Sequence, residues 1–191
     1  ERHLDDKGVP DIGSESLQCG DAPIFVAGDA TATRPLLHEA SDEGATAGRN
    51  AVAYPAVSRP DRMTPLAITF TDPPLVTVGD APEESAKIGS GDYTDQGRAR
   101  VENRNIGLVR IYAAAPHGRL TGADLFCPGA DHMGHLLALA ISCGLTATDL
   151  LEMPIYHPTV EEGLKPALRE ICAAVPLKIA GERDTGTPPG A

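Results

Sequence analysis

Residues 153–164 read Met153-Pro-Ile-Tyr-His157-Pro-Thr-Val-Glu-Glu162-Gly-Leu164. Local rules describe most of this segment as a helix entrance. Thr159 followed three residues later by Glu162 is a capping box, and Glu161 and Glu162 both suit the positive end of a helix. Pro158 holds His157 extended. What the cap leaves unexplained is an imidazole just outside the helix start, five residues before Glu162. A carboxylate that hydrogen-bonds one ring nitrogen leaves the other as a proton acceptor and raises its basicity, which is the pattern of general acid/base chemistry. The local pattern accommodates both the structural and the chemical reading.

Downstream, Val160, Leu164, Leu168, Ile171 and Val175 recur at spacings of four and three, which predicts an amphipathic last helix. Pro166 lies about seven residues into it, where the ring removes a hydrogen bond and clashes with the Glu162 carbonyl, so a kink or break is expected there. Upstream, 129–143 predicts a helix closed by Gly144, and 146–151 a shorter one. Residues 108–114 and 119–126 predict a hairpin turning at Pro116-His117-Gly118. Residues 67–70 and 75–78 predict strands around Asp72-Pro73-Pro74, and Asp80 caps an expected helix through Ile88. Earlier still, Ile24-Phe-Val-Ala27 reads as a buried strand ending at Gly28-Asp29, followed by a helix from Leu36 to Tyr54. In that helix the Asp42-Glu43 pair reads as a solvated face.

Three prolines, Pro55, Pro60 and Pro65, mark 55–65 as a linker. The expected organisation is therefore a strand–helix piece at 1–54, the linker, an α+β domain at 66–180 with a mixed, mainly antiparallel sheet and flanking helices, and a disordered tail at 181–191. The chain carries 16 Lys plus Arg against 27 Asp plus Glu, a net charge of −11, which argues against nucleic acid or an anionic membrane surface as partner. The longest apolar run, Leu136 to Ile141, is far short of the roughly 20 residues of a membrane span. Four scattered cysteines (Cys19, Cys127, Cys143, Cys172) read as reduced thiols of a cytoplasmic protein rather than a disulfide framework.

The segment 153–164 resembles the C-terminal signature of the FAD-dependent pyridine nucleotide–disulfide oxidoreductases. Three further segments fit that family in the same order. Ile24-Phe-Val-Ala-Gly-Asp29 with Leu36-Leu-His-Glu-Ala-Ser-Asp-Glu-Gly44 resembles its flavin-contacting strand–helix. Thr69-Phe-Thr-Asp-Pro-Pro-Leu-Val-Thr-Val-Gly79 resembles the first strands of its dimerisation domain, and Gly122-Ala-Asp-Leu-Phe-Cys-Pro-Gly129 the loop before that domain's central helix. Within the family, Leu36-Leu-His-Glu-Ala40 and Tyr156-His-Pro-Thr-Val-Glu-Glu-Gly-Leu164 are most similar to dihydrolipoamide dehydrogenases, with mercuric and glutathione-type reductases sharing the plan.

The resemblance implies a hydride passed between NAD and a redox-active disulfide through FAD, and a lipoamide-bearing or other thiol as substrate. It implies that His157 is the acid/base, oriented by Glu162, and that the pair reaches across a homodimer interface built from 66–180, with His157–Pro158 cis. Asp29 is implied to hydrogen-bond a ribityl hydroxyl of the flavin. The backbone N–H groups of Leu36, Leu37 and His38 are implied to open a helix toward the flavin ring, where a helix N-terminus favours negative charge.

The family's Gly-x-Gly-x-x-Gly phosphate loops do not occur in the sequence, nor does its close cysteine pair; Cys127 and Cys143 are 16 apart. The chain, which starts at Glu1, is accordingly expected to be the C-terminal part of a longer enzyme: the end of the FAD-binding domain and the whole dimerisation domain, inactive and free of bound cofactor by itself. A stand-alone, non-catalytic dimerisation module is the alternative. His132 and His135 with Cys127 and Cys143 match no usual zinc spacing, so no metal site is expected.

Overall fold

The hairpin at the centre of the sheet follows from alternation. Leu108–Ala114 (β4) and Arg119–Phe126 (β5) pair antiparallel, and Val109, Ile111, Leu120, Ala123 and Leu125 are buried. A bulge after Tyr112 places Tyr112 and Ala113 in succession under cover. In this computed structural model, which describes Leu4, Gly8 and residues 10–175, the chain forms two compact units, Glu1–Met63 and Thr64–Ala191. The expected disordered tail at 181–191 lies outside the described residues, as does the end of the 66–180 domain.

In the second unit, Leu75–Gly79 (β2) joins the free side of β5, Leu66–Thr69 (β1) joins β2, and Lys87–Asp92 (β3) joins β4. The result is a five-stranded antiparallel sheet in the order β1-β2-β5-β4-β3. Away from the bulge after Tyr112, inward residues largely alternate with outward ones, so one face carries the core. The helix Ala130–Ser142 covers β1, β2 and β5, and the C-terminal helix Lys165–Ala174 covers β3 and β4. Met133, Leu137, Leu164, Leu168 and Ile171 lie between helices and sheet, each at most 1% exposed. Burial of such side chains stabilises by about 1.5–3 kcal/mol each. On the opposite face Leu75, Phe126 and Leu108 form one cross-strand row and stay partly exposed.

Three sequence-based expectations need correction. The helix from Asp80 to Ile88 does not form: 80–86 is irregular with a turn, and 87–92 is strand β3. Glycine explains why so poor a strand former pairs there. A Cβ on Gly91 would sit 2.5 Å from the Gly163 carbonyl oxygen, and one on Gly89 would collide with the Ala167 carbonyl, so the backbone of the C-terminal segment can approach only because both positions lack one. Second, the last helix is two elements. Val160–Leu164 is a 3-10 turn, and the α-helix proper starts at Lys165 with Pro166 in its first turn, where a missing N–H costs nothing. The dihedrals stay helical through Leu164 and Lys165, so the kink or break expected at Pro166 is replaced by a passage from 3-10 to α just before it.

Third, 24–27 is not a strand. Phe25 makes one isolated bridge, to Gln18, while Cys19 N–H donates to the Ile24 carbonyl and Val26 N–H to the Leu17 carbonyl. Among the described residues backbone lies along one side only, and a continuous apolar strand needs a ladder on both. Gly28–Thr31 then forms a 3-10 turn packed on α1, Leu37–Ala53. The segment 55–63 folds back on α1: Asn50 Nδ2 donates to the carbonyls of Ser16 and Ser58, both at 2.9 Å, and its Oδ1 accepts from Ser58 N–H. In chain order the remaining helices are α2 (Gly97–Val101), α3 (Ala130–Ser142), α4 (Ala147–Glu152) and α5 (Lys165–Ala174). Among the described residues no helix is long and apolar enough to cross a membrane.

Candidate active site

Helix α4 ends where Met153 turns extended before Pro154, and the chain runs as a strap to the 3-10 turn at Val160. His157 stands on this strap with its side chain 80% exposed, and Glu162 in the turn is 22% exposed. His157 Nδ1 lies 3.0 Å from Glu162 Oε2 and 3.2 Å from Oε1. An ionised carboxylate only accepts, so Nδ1 carries the proton and the neutral ring keeps its lone pair on Nε2. The His157–Pro158 peptide is cis.

Glu162 has two further partners. Thr159 N–H donates to Oε2 at 3.2 Å, the return arm of the capping box, and Lys165 Nζ lies 3.6 Å from Oε1. Partial burial pushes this carboxyl up, but the Thr159 N–H, the His157 ring and the Lys165 ammonium together hold it below its ordinary range. The cap and the contact to His157 therefore use the same carboxylate. The Thr159 hydroxyl donates to the Tyr156 carbonyl at 2.8 Å and closes the strap on itself.

The strap is also held from β3 and α2. Tyr93, fully buried after β3, donates its hydroxyl to the Val160 carbonyl at 2.9 Å, and Gln96 Nε2 donates to the Thr159 carbonyl at 2.7 Å. Sequence reasoning missed both, since 67 and 63 residues separate the partners. It also missed Lys165, which the i,i+3 spacing from Glu162 could have flagged.

The remaining sequence-derived candidates lie in the first unit. Asp29 is exposed in the 3-10 turn. Leu36 is the N-cap of α1, without a side-chain cap, and its N–H donates to the Arg34 carbonyl at 2.8 Å. Leu37 and His38 are exposed in the first turn. The structure thus brings His157 and Glu162 into contact and sets the other four on neighbouring turns of the first unit.

Glu43 is a correction: it is not on a solvated face. Glu39 and Glu43 are each 5% exposed and share Arg62, with Nη2 2.8 Å from Glu39 Oε2 and 2.5 Å from Glu43 Oε1. Arg34 adds a second cation to Glu39 at 3.1 Å, and Gly28 N–H donates to Glu43 Oε2 at 2.7 Å. Burial raises the Glu39 carboxyl, yet the hydrogen bonds and charges of Arg62 and Arg34 leave it below its usual value.

Residues 66–168 match the model of the pyridine nucleotide-disulphide oxidoreductase dimerisation domain, more than half of the chain. The chain belongs to this family. Its curated relatives include a dihydrolipoyl dehydrogenase of Haloferax volcanii, 34% identical over 75% of this chain and 31% of the relative. Another is that of Geobacillus stearothermophilus, 30% identical over 82% and 34%. The chain therefore spans about a third of the length of these relatives. Among solved structures, the HOCl-induced flavoprotein disulfide reductase RclA of Escherichia coli superposes with a TM-score of 0.69 at 20% identity, covering 86% of this chain and 39% of that one. LpdA of Mycobacterium tuberculosis gives 0.71 at 22%, covering 86% and 37%. Both show the fold: the five-stranded antiparallel sheet with helices is that of the oxidoreductase dimerisation domain.

For the flavin of such enzymes, the residues present fit one edge of a site: an exposed carboxylate at Asp29 and a 17-residue helix whose first turn has no side-chain cap. As for metal, Cys127 is fully buried and burial pushes its thiol up to about 12, against the pull of the Tyr93 hydroxyl. His135 Nδ1 is occupied by the Asp131 carbonyl at 2.7 Å. Among the described residues no three His, Cys, Asp or Glu side chains gather as a metal site.

Proposed function

We propose that this chain supplies the dimer interface and the acid/base pair of a dihydrolipoamide dehydrogenase-like flavoenzyme, a cytoplasmic homodimer that oxidises a dithiol with NAD as the final acceptor. The observation that carries this reading is an exposed imidazole held at Nδ1 by an ionised carboxylate, on a strap inside a matched dimerisation domain. The dihydrolipoyl dehydrogenases among its relatives support the choice of substrate class. Bound FAD would supply the hydride relay between dithiol chemistry and nicotinamide; Asp29 and the backbone at the start of α1, around Leu36, Leu37 and His38, are the residues of this chain that would hold it.

The protein's own part is proton transfer. A thiol of pKa about 8.5 is mostly protonated near neutrality, while disulfide exchange needs the thiolate. His157 Nε2 takes the thiol proton, and the sulfur electron pair so released attacks a disulfide sulfur and expels the other as thiolate. Glu162 stays ionised, holds Nδ1–H and balances the imidazolium. The 80% exposure of the ring suits a base that acts on sulfurs of a second protomer rather than of its own unit.

The test is mutational, in the complete flavoenzyme that carries this sequence. His157→Gln is expected to lower dihydrolipoamide turnover by about 10²–10⁴-fold with flavin absorbance unchanged. Glu162→Ala is expected to cost about 10–100-fold, since the base remains but loses its orienting partner. Parent-like turnover in both variants would overturn the assignment.

A further inference from the structure

We propose that Gln96 is a positioning residue for the His157–Glu162 pair: its amide ties the strap to the N-terminus of α2, with the Tyr93 hydroxyl as a second tie one residue along. The proposal deepens the acid/base reading of this strap and rests on it for its consequence in catalysis.

The carboxamide of Gln96 is divided between two tasks. Its Oε1 accepts from Ala99 N–H at 2.7 Å and caps α2, while Nε2 donates to the Thr159 carbonyl at 2.7 Å. Both ends are occupied, so the side chain has one orientation, and that orientation fixes where the Thr159 peptide lies. The same residue, Thr159, sends its N–H to Glu162 Oε2. Gln96 therefore sets one side of the residue whose other side meets the Glu162 carboxylate.

One step on, the Val160 carbonyl accepts from Tyr93, whose hydroxyl also lies 3.3 Å from Met133 Sδ. Tyr93 is 0% exposed, and Gly163 packs on its ring so closely that any Cβ there would overlap it. A phenol buried this deeply is fixed in place, and it bonds the turn next to Glu162 rather than the pair itself. Two consecutive carbonyls of the strap are thus held from elements some 60 residues away. The carboxylate is left to the Thr159 N–H, the imidazole and Lys165. Without the ties, Thr159 is held only by its hydroxyl bond to the Tyr156 carbonyl and by Glu162 itself, so its N–H turns from the carboxylate more easily and the backbone anchor of the group that orients His157 weakens.

Gln96→Ser separates the two tasks. Serine is a good N-cap, so α2 keeps its capping acceptor, but the side chain is too short to reach Thr159 and adds no charge. Tyr93→Phe removes the second tie at nearly constant volume. The first measurement uses this chain: the carboxyl titration of Glu162, followed by carbon NMR, with α2 amide shifts as the folding control. In Gln96→Ser the Glu162 midpoint is expected to move upward with α2 intact, and in Tyr93→Phe to move the same way. In the complete flavoenzyme, Gln96→Ser is expected to lower kcat about tenfold with KM little changed, the size typical of lost orienting partners.

An unmoved Glu162 midpoint in both variants with α2 intact overturns the proposal. If the midpoint moves but turnover in the complete enzyme does not depend on His157, the tie stands and the acid/base reading falls. If His157→Gln abolishes turnover while Gln96→Ser changes neither the midpoint nor kcat, the tie alone falls.

Discussion

Both units of the chain set a carboxylate against a basic side chain, and the two pairings have opposite characters. In α1, Glu39 and Glu43 are buried and share Arg62, with Arg34 and the Gly28 N–H filling the remaining acceptor positions. In the strap, Glu162 is also partly covered and also has several partners, yet the base it holds is 80% exposed. A guanidinium never releases its proton at a working pH, whereas an imidazole gains and loses one near neutrality. Arg62 can therefore fasten a segment but not shuttle a proton, while His157 can do so. Burial of the acid alone does not distinguish a fastening from a pair able to move a proton. The identity and exposure of the base do.

The largest effect on stability is expected where burial is deepest. Arg62→Met leaves Glu43 with only the Gly28 N–H and Glu39 with Arg34, and stranded buried charges are expensive. A loss of about 3 kcal/mol is expected, measured by urea unfolding followed through α1 amide signals. Replacing Glu39, Glu43 and Arg62 together by methionine is expected to recover most of it, because no charge is then left buried without its partner. If Arg62→Met changes stability no more than a surface substitution does, the contrast between the two sites is lost.

Acid should act on both sites in the same direction. The Glu39 and Glu162 carboxyls are held below the ordinary range in the fold, so the unfolded chain takes up their protons first. Their stabilisation is fully present above the unfolded value of about 4.3 and is lost as pH falls through the folded one. Stability followed on α1 is therefore expected to fall below about pH 4.3, and to fall less steeply in Arg62→Met. An α1 that resists acid equally in both proteins would show that the cluster carries no such linkage.

Legibility in the sequence follows the range of the interactions. The hairpin β4–β5 and helix α3 were readable because alternation, apolar periodicity and a Pro-Gly turn act within a few residues. The pair His157–Glu162 was readable for the same reason: its members are five residues apart and share one capping box. Strand β3 was not, since its Gly89 and Gly91 earn their place only through the backbone of 163–167 packed on them. The burial of Glu43 was hidden because Arg62 answers it from 19 residues away. Gln96 and Tyr93 were hidden more completely, since nothing near them in sequence marks the carbonyls they hold.

The smallest effects test whether distance or burial ranks an ion pair. Lys165 lies 3.6 Å from Glu162, a long contact, but its side chain is 12% exposed; Arg100 lies 2.7 Å from Asp95, a short one, with side chains 62% and 89% exposed. Distance alone would make the second pair the stronger. Exposed charges, however, interact through water and salt and lose side-chain entropy on pairing, while a covered ammonium is screened less. Lys165→Met keeps most of the aliphatic stem and removes the charge. It is expected to destabilise by about 0.5–1 kcal/mol and to raise the Glu162 titration midpoint, because one of the groups holding that carboxyl down is gone. Arg100→Ala is expected to change the urea midpoint by no more than measurement error. The reverse order would mean that contact distance outranks solvent cover in this chain. The distinction drawn between the fastened glutamates of α1 and the exposed pair on the strap would then lose its physical basis.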